Sequence, residues 1–126
     1  MSKITPPPPL DGYTIYDPVD PFENEAGPFY WRRLDDGSHH FVLRTEPRHA
    51  NSHNVIHGGL LMTMADLTMA VTAKGEPDDA YVTVAFNSEF VAAGFAGDLV
   101  ESRGELVRRT GSMAFIRGHI SVGETT

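Results

Sequence analysis

The sequence predicts an α+β domain in which an antiparallel sheet packs against one long helix. A proline-free segment rich in Leu, Met and Ala runs from Gly58 to Lys74, which is long enough for a helix of about five turns. Strand-like runs bounded by turn residues lie on both sides of this segment. The 126 residues suffice for one hydrophobic core and are too few for two. We therefore expect one domain with a single central helix.

The N-terminal segment is predicted to be an extended arm. Residues 1–28 contain seven of the nine prolines, and proline interrupts helices and is confined to the edges of sheets. We expect at most one short helical turn in this arm, which would lie over the domain surface or be partly disordered. The domain itself is predicted to span residues 29–126.

Five runs in the domain are predicted strands, and with the helix they give the order β–β–α–β–β–β. The segment DDGS (35–38) separates the first two runs and is typical of a hairpin turn. Thr110 and Gly111 mark a tight turn before the last run. The third run alternates apolar and polar residues, as a strand with one buried face does. The predicted strands are 29–34, 39–45, 81–91, 98–109 and 113–122.

The predicted helix has a clear end and an unusual apolar surface. Lys74 lies in its last turn, Gly75 follows, and Pro77 prevents continuation. Apolar side chains surround most of its circumference, so the helix has to be buried on nearly all sides. A sheet that curls around the helix can cover most of this surface, and we expect a second subunit to cover the rest.

Composition excludes several classes of protein. A formal charge of −7 disfavours a general nucleic-acid binder, which needs a basic surface. The absence of cysteine excludes disulfides, thiolate zinc sites and thiol nucleophiles. No run approaches the ~20 apolar residues that cross a bilayer, and the first ten residues lack the apolar segment of a secretory signal. We expect a cytoplasmic protein without a nucleic-acid or membrane partner.

Asp66 conflicts with the apolar character of the helix. It lies in the middle of LLMTMADLTMAV, and no basic residue stands one turn before or after it. A buried carboxylate without a partner is strongly destabilising, so it is seldom present without a functional reason. Alternatively, Asp66 lies on a narrow exposed stripe with Thr63 and Thr68. The helix pattern alone favours neither interpretation.

The start of the helix is suited to an anionic oxygen. Gly58 and Gly59 allow a ligand to approach the backbone, and the first N–H groups of a helix have no partners within it. The helix dipole adds partial positive charge, which would stabilise the oxyanion formed when a thioester carbonyl is attacked. Asn51, in the preceding loop, can donate to a carbonyl. Alternatively, the two glycines only allow tight packing, and Asn51 is only a turn residue.

Together these residues resemble a known motif. Asn51, His57-Gly58-Gly59 and Asp66, in NSHNVIHGGLLMTMAD, are similar to the signature of the hotdog thioesterases of the phenylacetate-degradation (PaaI) type. The resemblance extends from about residue 39 to 122 and includes YVTVAFNSEFV. One departure is Asn54, where the family often has glycine, although asparagine also tolerates a left-handed conformation.

The resemblance implies a hotdog fold and hydrolysis of acyl-coenzyme A to a free acid and CoA. It assigns Asp66 as the general base for water or as a nucleophile, with Thr83 assisting it. Asn51 and the Gly58 N–H would hold the thioester carbonyl. Beyond the resemblance, we expect His57 to act at the site by orienting the loop through hydrogen bonding, with direct proton transfer as the alternative. No metal and no cofactor are expected besides the CoA thioester substrate.

Helix geometry adds the expectation of a shared site. Gly58 and Asp66 are eight residues apart, which corresponds to about 12 Å of helix rise. One carbonyl cannot be held by Gly58 and attacked by Asp66 of the same helix. Antiparallel pairing of two subunits would bring these residues together, and the resemblance implies the same arrangement. We therefore expect a homodimer or a dimer of dimers.

The phosphates of CoA require a local basic patch in this acidic chain. The densest basic group is Arg103, Arg108 and Arg109, and Arg44 and Arg48 form a second group. We expect Arg108 and Arg109 to bind the substrate, together with Gly59 at the helix start. The alternative is that these arginines are solvated residues of a hairpin and a loop.

Three other functions are less well supported. His49, His53 and His57 are spaced by four, which on a helix would form a metal-binding face, but their polar segment predicts a loop. Hotdog hydratases and dehydratases resemble one another in having an Asp and a His in the loop before the helix. The loop of this chain has no aspartate, which disfavours that function. A non-catalytic acyl-CoA-binding module would not need Asp66.

Overall fold

The computed structural model describes residues 8–16, 20–74, 83, 85 and 93–122. Within this part, five antiparallel strands form one sheet in the order β1-β2-β3-β4-β5, and the long helix packs against one face. The strands are β1 (Thr14–Tyr16), β2 (Phe29–Arg33), β3 (His39–Arg44), β4 (Leu99–Arg109) and β5 (Ala114–Val122). The helices are α1 (Pro21–Ala26) and α2 (Gly58–Ala73), with a 3₁₀ turn at Pro47–His49. The predicted α+β hotdog architecture is confirmed.

The elements from β2 to β5 lie within one or two residues of their predicted bounds. The first predicted hairpin turn is closed by Asp36, whose Oδ1 accepts from the backbone N–H and the hydroxyl of Ser38 at 2.8 and 2.6 Å. Gly37 has a φ of 88°, which glycine adopts without steric cost. The strand predicted over 81–91 lies outside the described residues, apart from residues 83 and 85.

The described part of the arm is more regular than its proline content indicates. β1 pairs with the edge of β2, with Thr14 opposite Trp31. α1 begins with Asp20 as N-cap and a proline in its first turn, the helix position that tolerates proline best. The division into an arm over 1–28 and a domain over 29–126 stays a prediction, but residues 14–16 add a strand to the sheet.

The sheet has apolar residues on both faces, as the alternation in β3 shows. Phe41 and Leu43 face α2, whereas Val42 between them packs on the opposite side. The cluster on the helix side is Phe29, Phe41, Leu43, Ile56, Leu60, Met64, Leu67 and Val100. The cluster on the other side is Tyr13, Tyr30, Val42 and Leu99, with Leu10 packed against it. Leu10 and Tyr13 belong to the arm, which therefore covers part of the outer face.

The predicted burial of α2 on nearly all sides is only partly reached within one protomer. Met64 and Leu67 are buried, whereas Met62 is 44% exposed and Asp66 is half-buried. Thr68 is 1% exposed, so it does not lie on an exposed stripe with Asp66. No helix in the described ranges is long and apolar enough to cross a membrane.

Thr68 and Ser102 form a buried polar pair between α2 and β4. The Thr68 hydroxyl donates to the Met64 carbonyl at 2.7 Å and lies 2.8 Å from the Ser102 hydroxyl. Because the Thr68 proton is used by Met64, Ser102 is the donor between the two hydroxyls. The Ser102 hydroxyl therefore loses its acceptor if Thr68 is changed, whereas the Thr68 hydroxyl keeps its bond to Met64 if Ser102 is changed.

This asymmetry predicts unequal effects of two substitutions. Ser102→Ala removes a donor and leaves Thr68 bonded, so we expect the free energy of unfolding to fall by about 1 kcal/mol. Thr68→Val leaves the buried Ser102 hydroxyl without its partner, and we expect a loss of roughly 1–3 kcal/mol. Urea unfolding of both variants measures the difference. A larger loss for Ser102→Ala would contradict the assignment of the donor.

Candidate active site

Asp66 and Thr83 are in direct contact. The Thr83 hydroxyl donates to Asp66 Oδ1 at 2.5 Å, which is the short distance of a charge-assisted hydrogen bond. This bond joins the middle of α2 to the segment predicted as the third strand, and it fixes one oxygen of the carboxylate. The second oxygen can then act on a water molecule or on a carbonyl carbon.

The start of α2 is capped by its own histidine. His57 is the N-cap residue, and its Nδ1 accepts from the Gly59 N–H at 2.8 Å. The Gly59 N–H is therefore engaged within the loop, and the expected role of Gly59 in substrate binding stays a prediction. Gly58 is the first residue of the helix, and its N–H has no carbonyl one turn before it in the helix. The Gly58 N–H is the group suited to hold a carbonyl oxygen.

Asn51 organises the loop that leads to the helix. Its Oδ1 accepts from the backbone N–H groups of His53 and Val55 at 2.8 and 3.2 Å, and its own N–H donates to the Val55 carbonyl at 2.8 Å. Because Oδ1 serves the loop, the NH₂ group is the part of the side chain that can donate to a substrate carbonyl. Asn54 has a φ of 64°, which confirms that it takes the left-handed conformation expected at this position.

Neighbouring segments hold this loop in place. The Ile56 N–H donates to the Gly94 carbonyl at 2.9 Å, and the Ala96 N–H donates to the Asn54 carbonyl at 3.2 Å. Gly94 is buried so closely against Val122 that an added Cβ would lie 2.0 Å from its Cγ1. The loop is therefore fixed before any ligand binds, which is what stabilisation of a transition state by hydrogen-bond donors requires.

His49 has a structural position rather than a ligand-binding one. Nδ1 accepts from the Glu46 N–H at 3.0 Å, so Nε2 carries the proton and donates to the Ala26 carbonyl at 2.6 Å. Burial, above all, lowers the pKa of His49. Among the described residues, no group of three or more potential ligands is arranged to hold a metal ion. The geometry of His49 and His57 therefore does not support the zinc alternative.

The arginines expected at the substrate lie apart from these residues. Arg108 and Arg109 are exposed at the far end of β4, about 30 Å along the strand from Leu99 at ~3.3 Å per residue. The Leu99 end is the one that adjoins the loop of Asn51, since Ala96 bonds to Asn54. Within one protomer, the structure does not bring Arg108 and Arg109 to this loop, and their role stays a prediction.

The second basic group, Arg44 and Arg48, makes hydrogen bonds to the backbone of its own chain. Arg48 donates to the Glu25 carbonyl at 2.8 Å and to the Gly27 carbonyl, so it holds the last turn of α1. Arg44 donates to the Gly97 carbonyl at 3.2 Å. These contacts orient both guanidinium groups toward backbone oxygens of their own chain.

One titratable residue of the site region was not predicted from the sequence. Glu23 of α1 is half-buried, and its pKa is raised to about 7, first by burial and then by the negative charges of Asp20 and Asp66. The pattern Asp20-Pro21 followed by Glu23 is a helix-start signal. It could have revealed α1, but no local pattern indicates that α1 packs against α2.

Comparisons with known proteins identify relatives of this chain. The family model of the thioesterase superfamily matches residues 53–126, which include the start of α2 and Asp66. A protein from Pseudomonas aeruginosa, named as a candidate esterase, is 30% identical over 106 residues, covering 82% of this chain and 79% of that protein.

Two solved structures share the fold. One comes from Ralstonia eutropha JMP134 and is described as a candidate thioesterase and a phenylacetic acid degradation-related protein. It is 28% identical with a TM-score of 0.69, covering 83% of this chain and 81% of that chain. The other is the TT0310 protein of Thermus thermophilus, which is 25% identical with a TM-score of 0.69, covering 82% of this chain and 86% of that chain. Sheet, helix, loop and family match lead to one conclusion: the chain belongs to the thioesterase superfamily.

Proposed function

We propose that the protein is an acyl-CoA thioesterase that hydrolyses the thioester bond to a free acid and CoA. The observation that carries this proposal is the half-buried Asp66 carboxylate, which the Thr83 hydroxyl orients at 2.5 Å. A carboxylate with one fixed oxygen can act as a general base or as a nucleophile. The family supports a hydrolytic reaction, and the thioesters of CoA are the substrate class that we propose.

The start of α2 supplies the complementary half of the reaction. The Gly58 N–H and the Asn51 NH₂ group of one protomer donate to the thioester carbonyl oxygen, so they stabilise the negative charge that develops there. In the general-base route, the partner subunit's Asp66 takes a proton from water while the resulting hydroxide adds to the carbonyl carbon. The C–S bond then breaks, and the CoA thiolate takes up a proton. In the nucleophilic route, the Asp66 carboxylate adds to the carbonyl carbon, and the C–S bond breaks to release the CoA thiolate, which takes up a proton. Water then hydrolyses the resulting anhydride to the free acid and the Asp66 carboxylate.

Pairing of two α2 helices supports the shared site. Gly58 and Asp66 belong to one helix and are separated by about 12 Å of rise, so one carbonyl cannot contact both residues of the same chain. Met62, one turn before Asp66, is 44% exposed in the protomer. An antiparallel partner helix would bury this apolar surface and place its own Gly58 near Asp66.

The phosphates of CoA are the anionic part of the proposed substrate. Arg108 and Arg109 place two positive charges on the exposed end of β4, in a chain with a net charge of −7. Their distance from the loop of Asn51 in the same chain means that they would act on a site completed by another subunit. Lack of an effect of Arg108→Ala and Arg109→Ala on KM would exclude these arginines without affecting the assignment of Asp66.

Thiol release from a panel of acyl-CoAs tests the proposal. We expect the purified protein to hydrolyse at least one aromatic, medium-chain or hydroxylated acyl-CoA, with kcat of roughly 1–10³ s⁻¹ as is usual for enzymes. Light scattering of the same sample should show a dimer or a larger oligomer. Tight binding of acyl-CoA without thiol release would instead identify a binding module, and water addition to an enoyl-CoA would identify a hydratase.

A further inference from the structure

A cavity of about 980 Å³ lies between the C-terminal end of α2 and the sheet. Its apolar lining includes Val71 of α2, Leu106 of β4 and Trp31 of β2, which packs against the core cluster on the helix side. Gly104 and Gly118 also line it and face each other across β4 and β5, so they bring no side chains into this space. The volume is at the upper end of the ~300–1,000 Å³ that small-molecule sites enclose.

The cavity is separate from the carboxylate that we assign to hydrolysis. Val71 follows Asp66 by five residues, which at about 100° per residue turns it roughly 140° around the helix axis. Val71 packs toward the sheet, whereas Asp66 is bonded to Thr83. A ligand in the cavity would therefore lie on a different side of α2, and its binding does not depend on the proposed thioesterase function.

Arg33 is the cation at this cavity that has no acidic partner in the described part of the chain. By strand alternation it lies on the same face of β2 as Trp31, it lines the cavity, and the ion pairs found among the described residues do not include it. Lys74, the C-cap residue of α2, adds a second positive charge. The charge of Lys74 also acts on Glu23, whose pKa burial raises and Lys74 lowers.

The carboxylates that line the cavity are already engaged. Asp36 Oδ1 accepts from the backbone N–H and the hydroxyl of Ser38 at 2.8 and 2.6 Å. Glu105 Oε1 accepts from Arg117 at 3.2 Å, and strand alternation places this pair on the face of the sheet opposite to α2. The guanidinium of Arg33 is therefore left to attract an anion from outside the chain.

An aromatic pair forms another wall of the cavity. The imidazole of His39 stacks on the indole of Trp31, with ring centroids 5.2 Å apart and an angle of 20° between the planes. Burial first, and then the positive charge of Arg33, lower the pKa of His39, so the imidazole is neutral at neutral pH. The pair therefore acts as an apolar surface next to the Arg33 charge.

We propose that this cavity binds an apolar carboxylic acid, whose hydrocarbon part lies against Trp31, Val71 and Leu106 and whose carboxylate pairs with Arg33. A guanidinium group matches a carboxylate through two parallel hydrogen bonds. The apolar lining favours burial of hydrocarbon surface by about 25 cal/mol per Å². A phosphate ester would bring about two negative charges to a single guanidinium without an acidic partner, so the carboxylate is the better match.

Fluorescence of Trp31 tests the proposal directly, because Trp31 is the only tryptophan of the chain. The probe is octanoate that carries a bromine atom on its chain, since bromine quenches an indole on contact. We expect saturable quenching that unlabelled octanoate reverses by competition. Acetate lacks the hydrocarbon and octanol lacks the charge, so each should compete at least about tenfold more weakly. Absence of saturable quenching, or octanol that competes as well as octanoate, would overturn the proposal.

Two arginines of β2 give a matched pair of variants. Arg33→Gln should weaken binding of the brominated acid by about tenfold or more, because it removes a charge-assisted hydrogen bond. Arg32→Gln removes the same charge from the opposite face of the strand, where the guanidinium lies 6.0 Å from the centre of the Tyr13 ring, and should retain the wild-type affinity. An equal loss in both variants would reduce the effect to net charge and overturn the proposal.

Asp66→Asn separates this cavity from the candidate active site. We expect the variant to bind the brominated acid as wild type does, since Asp66 lies on another side of α2. Binding that depends on Asp66 and not on Arg33 would place the acid in the active site and overturn the inference. Binding that depends on Arg33 in a protein without thiol release from any acyl-CoA would support the cavity and overturn the proposed function alone.

Discussion

Replacement of Asp66 by asparagine is expected to lower kcat for acyl-CoA hydrolysis by roughly 10²–10⁴-fold, the range for loss of a general base. Asparagine has the same size and can still accept the hydrogen bond that Thr83 donates to Oδ1. It neither takes a proton from water nor adds to the carbonyl carbon, so both chemical routes are blocked. Thiol release under single-turnover conditions measures the loss, and a thermal melt shows whether the fold is retained.

The matched control for this change is Asp35→Asn. Asp35 is an exposed carboxylate in the turn between β2 and β3, so its removal changes the net charge by the same amount without touching α2. We expect it to keep the wild-type kcat. Full turnover by Asp66→Asn would refute the assignment of the carboxylate to the reaction.

The second large effect is expected for Asn51→Asp. Aspartate keeps the oxygen that accepts from the His53 and Val55 N–H groups at 2.8 and 3.2 Å, so the loop should stay intact. It replaces the NH₂ donor with a negative oxygen directed at the developing oxyanion. We expect kcat to fall by about 10²–10³-fold, as on loss of one oxyanion donor, with little change in Tm. Asn51→Ala removes the loop contacts as well, so it should lower both kcat and Tm.

Mixing the two inactive variants tests whether the site is shared between subunits. When Asp66→Asn and Asn51→Asp chains are unfolded and refolded together, half of the dimers contain one chain of each kind. Each mixed dimer then has one intact site of two, so about a quarter of wild-type activity should return if the dimer pairs the chains symmetrically. Sites formed within one chain would recover no activity, which would contradict the antiparallel pairing of α2.

Much of the fold follows from local patterns. The run from Gly58 to Ala73 is a helix because it is proline-free and rich in helix-forming residues, and it ends before Gly75. β2 to β5 follow from alternating residues between turn signals, as at the hairpin of Asp36 and Ser38. Asn54 takes the left-handed conformation expected for it. These features depend on residues a few positions apart, which is the range over which a sequence pattern acts.

The arm shows where a local pattern was insufficient. Its prolines predicted little regular structure, yet Pro21 lies in the first turn of α1, where the missing N–H has no cost. β1 forms because the edge of β2 offers partners to Thr14 and Tyr16. Edge pairing depends on where the chain returns in space, and proline content does not report this.

The sequence alone determined the chemistry available to this protein: a carboxylate in an apolar helix, two glycines at the helix start, and an asparagine in the loop before it. Only the tertiary structure decided which atoms of these groups are engaged. The Gly59 N–H donates to His57, the Asn51 oxygen accepts from the loop, and the Thr83 hydroxyl donates to Asp66. The tertiary structure also packed α1 of the arm against α2. The physical reason is that residue type and spacing determine what a side chain can do, whereas packing between distant segments determines which partners it meets.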